Sequence, residues 1–266
     1  MKKPYLIAID CDGTLVGDDL VLRERTVFVL RSLLQRGHYV VLASGRPYRS
    51  LEPFVKAIGL EKMPIVTYNG AHAFSKDDPS FNYDKTFDLE AASEIARKLL
   101  PEVDSLLVDD ARRVYLKAED PYLNQFFPYK DLPYVVDKTA PRLAHPPYVI
   151  VFKRQKAGDE PYRSIIEAHQ GLRYRPWRDS PYAEAYQEGS DKGSALKAVM
   201  AYLQVDSSRL VAVGDSDNDL PMLQLAAHAY RMPESRQSSL LPYEAAPDTA
   251  KNEGLAKLLA SLSFLS

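Results

Sequence analysis

The chain has 266 residues, a formal net charge of −2, 45% hydrophobic residues and one cysteine, Cys11. This length allows one large domain or two smaller ones, and the mixed charge excludes the strongly basic footprint of a nucleic-acid binder. One cysteine excludes an intrachain disulfide, no apolar run approaches the length of a membrane-spanning helix, and the N-terminus lacks a signal-peptide pattern; a cytoplasmic location is the expectation.

The first segment alternates strand and helix. Tyr5-Leu6-Ile7-Ala8-Ile9 is an apolar run that reads as a buried strand, and it leads directly into Asp10-Cys11-Asp12-Gly13-Thr14. Arg23 to Arg36 carries Val27, Leu30, Leu33 and Leu34 at helical spacing, with Gly37 suited to end the helix. His38 to Ala43 reads as a second strand, ending at Ser44-Gly45-Arg46-Pro47, with a helix to about Ala57. Ile65-Val66-Thr67 reads as a third strand before Tyr68-Asn69-Gly70-Ala71. Such alternation predicts a parallel sheet with right-handed crossovers.

The rhythm changes near Phe81. Strands are expected over Ser105–Val108, Arg113–Lys117, Tyr148–Phe152 and Leu172–Tyr174, with Arg112-Arg113 marking a hairpin. Helices are expected over Leu89–Leu100, Asp120–Phe127 and Glu160–His169, and Lys153-Arg154-Gln155-Lys156 reads as a solvated loop. This middle segment reads as an α+β insert with a sheet exposed on one face. The earlier rhythm returns at Ser190, with a helix over Lys192–Leu203 and a strand, Leu210-Val211-Ala212-Val213. That strand ends in Gly214-Asp215-Ser216-Asp217-Asn218-Asp219, and a helix with Pro221 in its first turn follows. The last element is a short amphipathic helix, Glu253–Leu259.

If the first and last thirds form one sheet, Asp10, Asp12, Ser44, Lys192, Asp215 and Asp219 converge along one strand edge. Two carboxylates as close as Asp10 and Asp12 repel unless a cation or proton intervenes. The residue types suit phosphoryl transfer. A carboxylate, Asp10, can attack a phosphoryl group and split hydrolysis into two steps. Mg²⁺ takes carboxylates, carbonyls and phosphate oxygens, so Asp10, the Asp12 carbonyl and Asp215 are candidate ligands. Lys192 would offset charge, Ser44 would bind phosphoryl oxygens, and Asp12 would exchange protons with the leaving oxygen and the attacking water.

Each feature has a plainer reading. An Asp-x-Asp pair is often a solvated turn, Ser44-Gly45 alone reads as a turn and cap, and a single Lys is usually a surface residue. The acids from Asp215 alternate like an EF-hand loop, but Leu220 and Ala226 stand where Gly and Glu are needed. Cys11 reads as buried apolar filler, since strand alternation turns it from Asp10 and Asp12. His38, His72, His145, His169 and His228 show no metal-ligand spacing. Arg173-Tyr174-Arg175-Pro176-Trp177-Arg178 could clamp a phosphorylated substrate, although a cap strand with a charged outer face is the simpler reading. The order of the four acidic, hydroxyl and basic motifs carries the weight.

That order resembles the haloacid dehalogenase-like superfamily of phosphohydrolases. Asp10-Cys11-Asp12-Gly13-Thr14 resembles its first motif, Ser44 its second, Lys192 in Ser190-Asp191-Lys192-Gly193-Ser194-Ala195-Leu196 its third, and Gly214 to Asp219 its fourth. The insert, with Tyr68-Asn69-Gly70-Ala71, resembles the Cof-type subfamily with a type IIB cap. The resemblance implies a doubly wound, Rossmann-like parallel-sheet α/β core over residues 1–81 and 188–266, and an inserted α+β cap over 82–187 that closes on it. It implies a Mg²⁺-dependent phosphatase acting on a small phosphate ester, a sugar phosphate or phosphorylated cofactor precursor, with neither nucleic acid nor membrane as partner. Asp10 would be the nucleophile and Asp12 the acid/base. Asp10, Asp12 and Asp215 would hold the metal. Asp219 would support the metal shell or Lys192, and Asn218 and Ser44 would position phosphate. Arg46 and Asn69 are further candidates for substrate binding. One departure stands out: where Cof-type chains usually carry a Gly-Asn-Ala-like turn, this chain reads Tyr230-Arg231-Met232-Pro233-Glu234. A phosphomutase of the same superfamily is an alternative. A non-catalytic phospho-receiver is another, though normally about half this length and without an insert.

Overall fold

The computed structural model describes residues 3–139, 142–177, 180–233 and 242–266. The chain divides into two compact units, Met1–Tyr83 with Asp191–Ser266, and Asp84–Ser190.

In chain order, the first unit opens with β1 (Leu6–Ile9), α1 (Glu24–Gln35), β2 (Tyr39–Leu42), α2 (Tyr48–Ile58), β3 (Ile65–Thr67), β4 (His72–Phe74) and β5 (Asn82–Asp84). The second unit carries α3 (Leu89–Leu99), β6 (Val103–Asp109), β7 (Val114–Leu116), α4 (Pro121–Phe126), β8 (Tyr134–Val136), β9 (Val149–Arg154), α5 (Glu160–Glu167), β10 (Leu172–Pro176) and β11 (Tyr182–Gln187). The chain then returns to the first unit with α6 (Lys192–Leu203), β12 (Leu210–Gly214), α7 (Leu220–Leu225), β13 (His228–Arg231), β14 (Glu244–Ala245) and α8 (Gly254–Ser261).

The core sheet has the order β14-β13-β12-β1-β2, all parallel. A parallel bridge from Ala43 to Val66 brings β3 alongside β2. β1 lies between β2 and β12, with Ile9 opposite both Leu42 and Val213. Alternation along these strands divides the core between two faces. Ile7, Ile9, Val40, Leu42, Val211 and Val213 pack with Leu30 of α1, Leu51 and Val55 of α2 and Leu255 and Leu259 of α8. Leu6, Ala8, Val41, Leu210 and Ala212 pack with Leu196 and Val199 of α6 and Met222 and Leu223 of α7. A parallel sheet buried on both faces accounts for the unbroken apolar runs of its strands, and this is the doubly wound arrangement the sequence implies.

The second unit has a sheet of order β10-β11-β9-β6-β7-β8, antiparallel except for the β7–β8 pair. Helices α3 and α5 contribute Ile95, Leu99, Tyr162 and Ile166 to a core with Leu106, Val108, Ile150 and Phe152 of the sheet. The hairpin expected at Arg112-Arg113 joins β6 and β7, where the Asp110 carboxylate accepts from both Arg112 and Arg113 N–H.

Two local expectations are corrected. Lys153 and Arg154 belong to β9 rather than to a solvated loop, because both are in register with β6, Lys153 also pairs with Tyr182 of β11, and Arg154 N–H donates to the Pro181 carbonyl. Tyr230 and Arg231 lie within β13, and Met232 is buried against the sheet core with its N–H on the Gly214 carbonyl. Glu234 and Arg178 lie outside the described residues.

Candidate active site

The acidic and basic side chains of the core unit meet at the C-terminal ends of the parallel strands. Asp10 follows β1, and its N–H donates to the Val213 carbonyl at 3.0 Å, so the sheet ladder itself fixes where its side chain emerges. The loop beyond folds on itself: Leu15 and Val16 N–H donate to the Cys11 carbonyl, and Gly13 N–H donates to Val16. Gly13 sits at φ +83°, and a Cβ there would lie 2.6 Å from Asp215 Oδ2, so a side chain is excluded on both conformational and steric grounds. Cys11 is fully buried in the apolar core, in the turn after β1, and burial pushes its thiol pKa up; it is apolar filler.

Lys192 is the first residue of α6, because Asp191 caps that helix by accepting from Ser194 N–H (2.8 Å) and Ser194 hydroxyl (2.6 Å). The lysine is completely buried and donates to Asp10 Oδ1 at 2.5 Å and Asp219 Oδ1 at 2.6 Å. The other Asp219 oxygen accepts from Asp215 N–H at 2.9 Å and Ser216 N–H at 3.0 Å, closing a capping box with Ser216. Asp219 therefore braces both the lysine and the turn that carries Asp215.

Asp10, Asp215 and Asp219 each direct a carboxylate oxygen to within 4.8 Å of the others. The electrostatics of this group are unbalanced. Burial raises the Asp10 pKa well above the ordinary carboxylate value; Asp219 pushes it further up and Lys192 opposes. Asp215 is pushed up to about 7, by burial first and Asp219 second. Burial alone would lower the Lys192 pKa, but the charges of Asp10 and Asp219 outweigh it and raise it. Asp215 Oδ1 is buried without a hydrogen-bond partner. Two buried carboxylates on one ammonium, with the half-buried Asp215 and its orphaned oxygen beside them, fit a hard cation with oxygen ligands. Among the described residues this is the one cluster of potential ligands, and none of the histidines belongs to it.

Asp12 lies apart from that cluster. Its carboxylate takes a two-point contact from Arg46, Nε to Oδ2 at 2.7 Å and a terminal nitrogen to Oδ1 at 2.5 Å. Arg46 is 5% exposed and also donates to the Ser50 hydroxyl at 2.9 Å. Ser50 carried no signal in the sequence beyond lying one helical turn from Arg46. Ser44 is buried; its hydroxyl accepts from Arg46 N–H at 3.2 Å, and its N–H donates to the Val66 carbonyl.

Asn69 occupies an unusual turn. Tyr68, Asn69 and Gly70 have φ of +49°, +54° and +91°, three successive left-handed residues. For non-glycine residues such a conformation costs on the order of 1–3 kcal/mol each, least for Asn. The turn is held from several sides. Tyr68 N–H donates to the Arg46 carbonyl, Asn69 N–H donates to the Ser44 carbonyl, and Asn69 Oδ1 accepts from Asn218 Nδ2 at 2.8 Å. A Cβ at Gly70 would lie 2.1 Å from the Asp191 carbonyl oxygen, so the turn packs directly on the start of α6. The Asn-Gly pair after a strand is a turn signal, but its connections to three other loops are tertiary.

In the second unit, Arg175 pairs with Glu184 and lies over the Tyr186 ring, Trp177 Nε1 donates to Glu184, and Arg173 pairs with Glu188. These side chains of the suspected clamp are tied into their own sheet.

A parallel sheet buried on both faces, with acids and a buried lysine at its carboxyl edge, defines a doubly wound α/β core. The model of the haloacid dehalogenase-like hydrolases matches residues 7–259, and the chain belongs to that family. It is 28% identical over 263 residues to the 5-amino-6-(5-phospho-D-ribitylamino)uracil phosphatase YitU of Bacillus subtilis, covering 97% of both chains. It is 24% identical to a phosphoglycolate phosphatase of Methanopyrus kandleri, over 97% of this chain and 96% of that one. In fold it resembles a haloacid dehalogenase-like hydrolase of Bacteroides thetaiotaomicron, with a TM-score of 0.81 at 21% identity over 97% and 99% of the two chains. It also resembles a subclass IIB sugar phosphatase, with a TM-score of 0.78 at 16% identity over 98% and 99%. Together these support the Cof-type assignment.

Proposed function

We propose that the protein is a Mg²⁺-dependent phosphomonoester hydrolase that works through an aspartyl-phosphate on Asp10. The observation that carries this reading is the buried group of Asp10, Lys192 and Asp219 with the half-buried Asp215 and its orphaned oxygen, at the carboxyl edge of the sheet.

In the first step an Asp10 carboxylate oxygen attacks phosphorus and the bond to the leaving oxygen breaks. Asp12 delivers a proton to that oxygen, so an alcohol departs. In the second step water attacks the phosphorus, Asp12 accepts its proton, and the bond from phosphorus to Asp10 breaks, releasing inorganic phosphate. Lys192 holds Asp10 in place and offsets the charge of the incoming phosphoryl group. The hydroxyl of Ser44 and the amide of Asn218 orient phosphoryl oxygens. Arg46 holds Asp12 by both oxygens, which supports a role in orienting the acid/base. Asp10, Asp215 and the Asp12 carbonyl would hold Mg²⁺, with Asp219 behind them. When bound, the ion supplies positive charge for the phosphoryl oxygens and for the crowded carboxylates.

The substrate in this reading is a small phosphorylated metabolite, either a sugar phosphate or a phosphorylated cofactor precursor. Its supports are the ribitylaminouracil phosphatase and the sugar phosphatase that the chain resembles. The insert is the natural seat of leaving-group selection, and the single cysteine supports a reducing, cytoplasmic setting. The test is phosphate release from an aryl phosphate and a panel of metabolite monoesters, with and without Mg²⁺. Turnover that needs Mg²⁺ and Asp10 is expected. Failure on every monoester, or isomerisation without free phosphate, would end the reading.

A further inference from the structure

Asn69 projects from a left-handed turn yet is committed in three directions. Its N–H holds the Ser44 carbonyl at 2.9 Å, and its Oδ1 holds Asn218 Nδ2 at 2.8 Å. Its amide also abuts Gly45, where a Cβ would come within 3.0 Å of Nδ2 and 3.1 Å of Oδ1. The neighbours Tyr68 and Gly70 reach Arg46 and the start of α6 in the same way. A side chain recruited to touch substrate would not need to be gripped by two other loops. A side chain that sets the distance between those loops would.

We propose that Asn69 is a positioning residue for phosphoryl transfer rather than a substrate contact: its side-chain carbonyl fixes Asn218, and its backbone fixes Ser44, so one turn sets the spacing of two phosphate-orienting groups. The proposal rests on the phosphatase reading above. It explains why a left-handed turn is placed here. The positive φ at residue 69 lets the backbone N–H reach back to Ser44 while the side chain reaches Asn218, and Asn is among the few side chains that accept this φ. A misplacement of about 1 Å at a reacting centre costs on the order of 100-fold in rate.

The substitutions Asn69→Gly and Asn69→Asp separate the roles, since both residue types tolerate positive φ and only Asp keeps an acceptor for Asn218. Thermal unfolding checks that each variant folds. N69G is expected to lower kcat by about 10- to 100-fold with KM little changed, and N69D, which keeps the acceptor but adds a charge, to lose less kcat than N69G. In the double variant N69D/N218D two acceptors face each other, and the loss should exceed the product of the single losses; this arm serves even if N69G does not fold. Wild-type kcat in N69G, a loss confined to KM, or a double variant equal to the product of the singles would overturn the proposal. Absence of turnover by the wild-type protein would instead end the phosphatase reading, and this role with it.

Discussion

Each unit contains buried acids, and Asp120 and Glu184 of the second unit are treated oppositely to the acids around Lys192. In the second unit, Asp120 receives the hydroxyls of Ser105 (2.5 Å) and Tyr182 (2.8 Å) and the N–H groups of Tyr122 and Leu123. It caps α4 and joins β6 and β11 to that helix. Glu184 is likewise met by Arg175 and Trp177. In the core unit, Asp10 and Asp219 share one lysine with Asp215 beside them, two of these acids are pushed well up in pKa, and one oxygen has no partner. A buried polar group that is fully met holds structure together, whereas one left short of positive charge costs stability and is retained for chemistry. The same residue type thus means different things in the two units, and the donors around it tell which.

Asp10→Asn acts on the unbalanced group most directly. It should reduce phosphate release by about 10⁴-fold or more while leaving the melting temperature undiminished, because it removes a buried charge. Undiminished turnover would mean that the unbalanced group is not the site of chemistry.

Lys192→Met should cost both activity and stability. Removing the one cation leaves Asp10 and Asp219 facing each other in the interior, and breaking a buried pair costs about 3–5 kcal/mol. Calorimetric or denaturant unfolding would read the loss. Asp120→Ala is its counterpart in the second unit. Leaving the Ser105 and Tyr182 hydroxyls and two N–H groups without their acceptor should cost about 1–3 kcal/mol without changing the turnover of the folded molecules. Lost turnover with an unchanged melting temperature would reverse the assignment of the two groups.

The smallest expected effect is on pH and metal dependence. The Asp215 pKa is raised in the folded state to about 7, so between the ordinary carboxylate range and pH 7 the folded protein holds a proton that the unfolded chain has lost. Stability of the metal-free protein from this group is therefore greatest at acid pH and is lost as pH rises through about 7. Asp215→Asn should melt several degrees above the wild type at pH 8, with the gap closing towards pH 4. MgCl₂ should raise the wild-type melting temperature more at pH 8 than at pH 5, because protons compete for the same oxygens. A metal effect independent of pH would separate the carboxylates from the cation site.

Legibility varied along the chain for physical reasons. The core strands were readable because both faces are buried and the apolar runs are unbroken, as in Leu6–Ile9 and Leu210–Val213. β11, Tyr182–Gln187, carried no such signal: its two alanines are weak strand formers, and Glu184, on the face opposite the core-facing Ala183 and Ala185, is covered by Arg175 and Trp177. β4, β5, β8 and β14 are three residues or fewer and owe their existence to neighbours. Lys153 and Arg154 looked like loop because of their charge, and are strand because their backbone pairs with β6 on one side and, at Lys153, with β11 on the other. Asp219 could be read as a supporter of Lys192 or of the metal shell. Only the fold reveals that its second oxygen also fastens the turn of Asp215.

By itself the sequence determined the family and the order of the motifs, since a nucleophilic acid, a hydroxyl, a lysine and an acidic turn each follow a strand or open a helix, and local patterning suffices to say so. Which of those charges meet is a property of the folded chain. Lys192 lies 182 residues from Asp10, Arg46 lies 34 from Asp12, and Asn218 lies 149 from Asn69. Separations of that size leave no periodic trace in a sequence, because they are set by strand order in the sheet and by the distances at which opposite charges and hydrogen-bonding groups come to rest.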